Sequence, residues 1–384
     1  MIPGPTEYEQ NVLSTLSMPT IAHTSKEFLH IFKETLEKTL KVFDAVDSLP
    51  FVLSGSGTFA MEAGTVNFLK RDSKVLVVNT GYFGDRFVSL LSVFTKNVDV
   101  YKPPLGQAAD PKEVYEKIKN NEYDLVTVTH VDTSTGVRNN VKEIAKFFKN
   151  LDTVLVVDGV CSIGGEEFHM DWGVDVAFTA SQKALGAPPG LAVGVVGPKA
   201  LSVMEKNPPL SFFSDLRRWQ NVFESLLELK PGYFGTPNIN LVTALGVSLT
   251  STLDEGMDKR IKRHQIIGES FRSAIRELGL EMIPKNEFYA NTLSVQYLPR
   301  NVKQSDFLAD AERYGAVFAG GLMPEIKDKY FRIGHMGSVS SSEVMISVGA
   351  IERALKKNGV NVALGAGLSV AQEILEKYDF GIPF

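Results

Sequence analysis

An α/β fold with a mainly parallel sheet, followed by a smaller α+β domain, is predicted by two patterns in the chain. From about residue 50 to 200, short apolar runs alternate with amphipathic stretches, the signature of strands covered by helices. After Gly256 the pattern changes to one long helical period, an alternating strand and a further helix. The predicted division is therefore 1–255 for the large domain and 256–384 for the small one.

The first buried strand is Phe51-Val52-Leu53, and Ser54-Gly55-Ser56-Gly57-Thr58-Phe59-Ala60 follows it and opens a helix. Glycines let a backbone approach an anion closely, and a helix amino terminus supplies free N–H groups and a favourable dipole. A phosphate would sit well here. Gly55-x-Gly57-x-x-Ala60 also fits a permissive dinucleotide fingerprint, which expects an acid about 20 residues on, at the end of the next strand. That strand, Val75 to Val78, ends instead in Asn79-Thr80-Gly81. Single-phosphate binding is thus preferred to NAD, with a purely structural glycine turn between them.

Next comes Tyr82-Phe83 between two glycines in the string Gly81 to Arg86. A loop aromatic there can stack on a flat cofactor, although local packing explains it equally well. Amphipathic stretches at Pro111–Asn120 and Val141–Phe148 flank the strand Leu125–Thr129. His130-Val131-Asp132-Thr133-Ser134-Thr135-Gly136 ends that strand in hydroxyls, as ordinary turns also do.

Two strings then carry the chemistry. Val154 to Val157 ends in Asp158, and Val176 to Ala180 ends in Ser181-Gln182-Lys183. Parallel sheets present chemistry at the carboxyl ends of their strands, so one acid and one amine share an edge. This suits pyridoxal phosphate, whose aldehyde takes a lysine as a Schiff base and whose ring nitrogen pairs with an acid. Alone, the lysine reads as a solvated loop charge and the acid as a turn former. The rigid turn Ala184 to Gly190 and the strand Leu191–Val196 hold Lys183 in place. Further on lie a turn, Pro231 to Pro237, and a helix from Met257 to Leu278 closed by Gly279. Thr292–Tyr297 alternates as a half-buried strand, and Ser341–Lys356 reads as a helix. Arg332 lies in the apolar string Phe331 to Gly334; a guanidinium suits a carboxylate, and a buried ion pair is the alternative.

Composition removes several classes. The formal net charge of −5, with no basic block, argues against nucleic acid. No apolar run approaches the roughly 20 residues of a membrane span. The single cysteine, Cys161, excludes an intramolecular disulfide and a Cys-rich metal site, so no metal is expected. Its surroundings read as inert packing. Residues 1–5 lack a secretory pattern and residues 378–384 are not a peroxisomal address. A cytoplasmic location is expected.

In order along the chain, Pro3-Gly4-Pro5, His23, Gly55-Ser56-Gly57, Gly81-Tyr82-Phe83-Gly84, His130 through Gly136, Val157-Asp158, Ser181-Gln182-Lys183 and Phe331-Arg332-Ile333-Gly334 resemble the class V aminotransferases of fold type I. The likeness is nearest to the serine-pyruvate and alanine-glyoxylate aminotransferase group. It implies a seven-stranded, mainly parallel sheet and pyridoxal 5′-phosphate as cofactor. Lys183 would be the Schiff-base lysine, Asp158 the partner of the ring nitrogen and Phe83 the stacking aromatic. Gly57, Thr58 and Gln182 match phosphate-contacting positions, and Thr133 matches a hydroxyl near the phenolic oxygen. Tyr233 and Thr236 match residues reaching the phosphate from a neighbouring subunit, which implies a homodimer with shared active sites. Arg332 matches the arginine for the substrate carboxylate, and Gly4 lies in the loop lining the pocket. Two positions depart from the pattern: Thr24 follows His23 where an arginine is common, and Asp132 stands where Glu is frequent.

The reaction so implied is ping-pong transamination between serine or alanine and pyruvate or glyoxylate. Rival readings are an aspartate or other donor, a lyase or desulfurase on the same fold, and a non-enzymatic regulatory dimer. Near Gly4 and Phe83 the sequence offers no evident second cation, which favours a small neutral donor.

Overall fold

The computed structural model of the protein describes residues 1–377; the segment 378–384, read above for an address signal, lies outside the described residues. Among the described residues twelve strands occur in chain order: β1 (Leu49–Ser54), β2 (Lys74–Val78), β3 (Asn97–Tyr101), β4 (Leu125–Thr129), β5 (Val131–Asp132), β6 (Val137–Arg138), β7 (Val154–Asp158), β8 (Val176–Ala180), β9 (Leu191–Val196), β10 (Leu293–Tyr297), β11 (Ala319–Gly320) and β12 (Tyr330–Gly334). Seven of them form one sheet in the order β1-β9-β8-β7-β4-β2-β3.

β2, β3, β4, β7 and β8 run parallel, while β9 is antiparallel to both β8 and β1. The reversal has a simple cause. A parallel crossover requires a dozen or more residues, and only the turn that carries Lys183 joins β8 to β9. β4, β7, β8 and β9 are buried along their whole length, which is why they read as unbroken apolar runs. β3 is an edge strand, mostly exposed and carrying Asn97 and Asp99; edge strands tolerate such polar residues, and sequence periodicity passes over it.

The helix Gly57–Val66 packs on β8. Gly64 permits this, since a Cβ there would lie 2.5 Å from the Phe178 ring. At the other end a Cβ on Gly57 would sit 3.4 Å from that of Ala180. The helix therefore runs antiparallel to β8, and its amino terminus meets the strand's carboxyl end. Phe178 is fully buried, so truncation to Ala would cost about 3–5 kcal/mol and loosen this contact.

The main apolar core extends from Phe28 to Leu249 in sequence. A second, from Ile267 to Ala371, lies around the three-stranded sheet β10-β12-β11 and the helices Met257–Glu277 and Ser341–Lys357. A third group joins Val131, Cys161 and Ala184 to Leu293, Tyr330 and Met336. It binds the sheet's active edge to the β10–β12 layer. No helix among the described residues is long and apolar enough to cross a membrane.

Candidate active site

Asp158 ends β7 at the middle of the sheet and is fully buried. Its Oδ1 accepts the Val160 N–H at 2.9 Å. Burial pushes its carboxyl up to about 7, an effect that nearby Asp132 reinforces and that Val160, Lys183 and Arg86 oppose. Desolvation thus outweighs the cations. The charge is held too far from water for these partners to offset its desolvation.

Lys183 leaves β8 by a short turn whose backbone is fixed on both sides. Ser181 Oγ donates to Pro188 O at 2.6 Å, and Gly186 N donates to Lys183 O at 2.9 Å. The Lys183 ammonium donates to Pro3 O. A strap, residues 1–6, lies over this turn. Thr6 N donates to Gln182 O and Thr6 Oγ1 to Lys183 O, both at 3.1 Å. Gly4 has φ +100°, and a Cβ there would lie 2.7 Å from Lys183 Nζ; only glycine fits against the amine.

Phe83 is the second residue of the helix Tyr82–Leu91, whose N-cap residue, Gly81, offers no capping side chain. The cap comes from elsewhere. Asp132 Oδ2 accepts Phe83 N at 3.1 Å and Ser134 Oγ accepts Tyr82 N at 2.9 Å. Ser134 Oγ in turn donates to Asp132 Oδ1 at 2.6 Å. The departure at Asp132 is therefore structural: its carboxylate braces the loop that bears Phe83. Thr133 points the other way, its hydroxyl in contact with Cys161 Sγ. Burial raises the Cys161 thiol above its ordinary pKa, which agrees with inert packing.

At the proposed phosphate end, Ser56 caps the helix by accepting Phe59 N, and the first amides have no partner within the helix. Gln182 Oε1 is buried without any hydrogen bond among the described residues. The expectation of no second cation is corrected here. Arg86, one helical turn beyond Phe83, lies 4.8 Å from that ring's centroid and donates from Nη1 to Thr58 Oγ1 at 2.8 Å. Its spacing of three residues from Phe83 was the available signal.

Tyr233 and Thr236 stand apart. Neither makes a hydrogen bond or ring contact with Lys183, Asp158 or Gln182 among the described residues. Tyr233 is 69% exposed and meets His23 at 5.8 Å between ring centroids, and Thr236 and His23 line a small cavity together with Ser54 and Phe213.

Arg332 lies on β12 between Val295 of β10 and Ala319 of β11. Only 9% of it is exposed. Its Nε donates to Gly320 O at 2.7 Å, yet it forms no ion pair among the described residues. The buried ion pair of the alternative reading is not present among those residues. The strap reaches this strand too, through Gly334 N donating to Met1 O at 2.9 Å. The strap thus contacts both the Lys183 turn and the end of the strand that carries Arg332.

A family model described as aminotransferase class-V matches residues 6–322. The chain belongs to this family. Alanine–glyoxylate aminotransferase 1 of Saccharomyces cerevisiae is 40% identical over 355 residues, covering 88% of this chain and 91% of the yeast protein. The L-aspartate–glyoxylate aminotransferase of Paracoccus denitrificans is 31% identical, covering 97% and 94%. The crystal structure of pyridoxamine-pyruvate aminotransferase from Mesorhizobium loti superimposes with a TM-score of 0.92 at 25% identity, covering 98% of this chain and 96% of that one.

Class V aminotransferases use pyridoxal 5′-phosphate, and the residues present fit it. Among the described residues a buried acid has no ion-pairing cation of its own and a buried amide oxygen is unpartnered, and a helix terminus opens near the end of the strand that leads to Lys183. Asp158 would hold the ring nitrogen, Lys183 the aldehyde carbon, and Gly57, Thr58 and Gln182 the phosphate. Turned over, the Gln182 amide presents a donor at its unpartnered position; amide orientation is set by such partners.

Proposed function

We propose that this class V aminotransferase moves the amino group of serine or alanine to pyruvate or glyoxylate, using Lys183, Asp158 and Arg332. The observation that carries the substrate side is Arg332. A guanidinium 9% exposed and without an ion pair among the described residues is costly unless an anion arrives, and a planar fork is matched to an α-carboxylate.

Bound pyridoxal phosphate supplies an electron-accepting ring that weakens the Cα–H bond of an attached amino acid. Asp158, once beside a protonated ring nitrogen, is stabilised as the carboxylate and keeps that proton in place. The amine of Lys183 takes the Cα proton as general base and returns a proton as general acid. Gly4 and the strap limit the space above the amine, and Asp132 and Ser134 fix the angle of Phe83. Alternate use of the one site by an amino acid and then by an oxo acid gives ping-pong kinetics. Rapid desulfuration would require a mobile thiol, whereas Cys161 is buried against Thr133.

Donor choice follows from charge. The second cation, Arg86, is engaged by Thr58 and by Phe83, so a distal carboxylate has no free partner placed for it. A matrix of alanine, serine, glycine and aspartate against pyruvate, glyoxylate and 2-oxoglutarate decides the matter. We expect serine or alanine to lead, with kcat/KM for aspartate at least about tenfold lower. Aspartate with 2-oxoglutarate as the best pair would overturn the assignment. Arg332→Lys should raise KM for the good donors roughly tenfold or more, because an ammonium cannot reproduce two parallel hydrogen bonds. An unchanged KM would remove Arg332 from the site.

The homodimer belongs to the same proposal. Phe212, Phe213 and Tyr233 are exposed, and Phe213 and Phe234 continue this surface to Phe59, beside Thr58. Such an aromatic patch is suited to burial against a second copy. If Tyr233 and Thr236 complete the partner's phosphate site, mixing Lys183→Ala and Thr236→Arg subunits should restore activity. Random exchange makes half the molecules heterodimers with one intact site each, so about a quarter of the wild-type activity is expected. No recovery, with heterodimers verified by mass, would place both residues in their own subunit. We further propose a cytoplasmic location, supported by the lone, buried cysteine. A division of the chain at Gly256 is supported by the separate cores on either side of it.

A further inference from the structure

We propose that Arg86 is the cation of the phosphate site, acting with Thr58 at the amino end of the helix Gly57–Val66. The inference rests on the cofactor reading above and adds a residue to it. The matched phosphate positions, Gly57, Thr58, Gln182, Tyr233 and Thr236, are all neutral. A phosphate monoester carries about −1.5 to −2 charges at neutral pH, and one helix dipole offsets only about half a charge. The site therefore calls for a cation.

Arg86 is placed to provide it. Its guanidinium lies over Phe83 at 4.8 Å and over Tyr82 at 5.2 Å, so two rings hold it in one orientation. It has no ion-pair partner among the described residues. The adjacent carboxylate, Asp85, is occupied by Asn79 Nδ2 at 2.7 Å and by Lys102 at 3.3 Å. Arg86 Nη1 donates to Thr58 Oγ1 at 2.8 Å. A hydroxyl that accepts from a cation has its own proton free and polarised toward another acceptor. Thr58 thus passes the charge of Arg86 to the point where the helix amides open. The pull of Arg86 on Asp158 places its field inside the same site.

The test compares two ligands. Apoenzyme is titrated with pyridoxal phosphate and with pyridoxal, which lacks the phosphate, for wild type, Arg86→Gln, Arg86→Met and Arg86→Lys, following the absorbance change and the quenching of tryptophan fluorescence. Two neutral replacements guard against one that misfolds, and thermal unfolding of each apoprotein verifies the fold. We expect Kd for pyridoxal phosphate to rise roughly tenfold or more in Gln and Met, with partial recovery in Lys and an unchanged Kd for pyridoxal. Equal weakening for both ligands would overturn the proposal, because Arg86 would then only support the Phe83 ring. An unchanged Kd for pyridoxal phosphate would overturn it as well. Failure of the wild type itself to take up pyridoxal phosphate would instead sink the cofactor assignment, a separate outcome.

Discussion

Lys183→Ala is expected to retain pyridoxal phosphate by non-covalent contacts and to lose transamination by about 10³-fold or more. The loss corresponds to at least about 4 kcal/mol of transition-state stabilisation. It is large because one amine both attaches the cofactor and moves the proton, and removal of such a group is not compensated by its neighbours. The strap sharpens the expectation: Pro3 O and Gly4 enclose the amine, so little room exists for another base. An added small amine, such as methylamine, should restore part of the rate. Full activity in the variant without any amine would refute the role of Lys183.

Asp158→Asn is the second large effect. The side chain keeps its shape and its bond from Val160 but loses the charge that keeps the ring nitrogen protonated. We expect kcat to fall by roughly 10²-fold or more with KM much less affected, since the interaction matters most as the Cα proton leaves. A kcat near wild type would make Asp158 a turn former. The apoprotein offers an independent readout. Burial raises the folded carboxyl to about 7 from its ordinary 3.8, so between those values the folded chain binds a proton that the unfolded chain has released. Stability then declines as pH rises through that window. Asparagine has no such proton, and the variant should gain on the wild type from pH 5 to pH 8. The gain is on the order of 2–3 kcal/mol, taking about 1.4 kcal/mol per unit. A stability difference independent of pH would show that Asp158 titrates normally.

The strands were legible because β2, β4, β7, β8 and β9 are buried and apolar with polar turns at their ends. Those turns carry Asp158 and Lys183, so the heart of the site could be read from chain order alone. The division between parallel and antiparallel strands was implicit in the length of the turn after Ala180. What escaped notice depends on residues distant in sequence. Asp132 and Ser134 cap a helix some 50 residues upstream. Arg86 reaches Thr58 across 28 positions, so chain order alone did not place its charge at the site, although its spacing from Phe83 was visible. The lack of an acid beside Arg332 among the described residues is likewise a property of three dimensions, and it turned an ambiguous arginine into a candidate carboxylate site. β3 was hidden for a different reason: an edge strand exposed to water need not be apolar.

The most direct measurement is reduction of the purified protein with borohydride in the presence of pyridoxal phosphate, followed by peptide mass mapping. One phosphopyridoxyl group per chain on Lys183, with loss of the yellow colour, is the expected result. Its prior treatment with serine or alanine should prevent labelling by converting the cofactor to its amino form. Labelling of a different lysine, or no stoichiometric labelling at all, would contradict the assignment of Lys183 and with it the reading of this site.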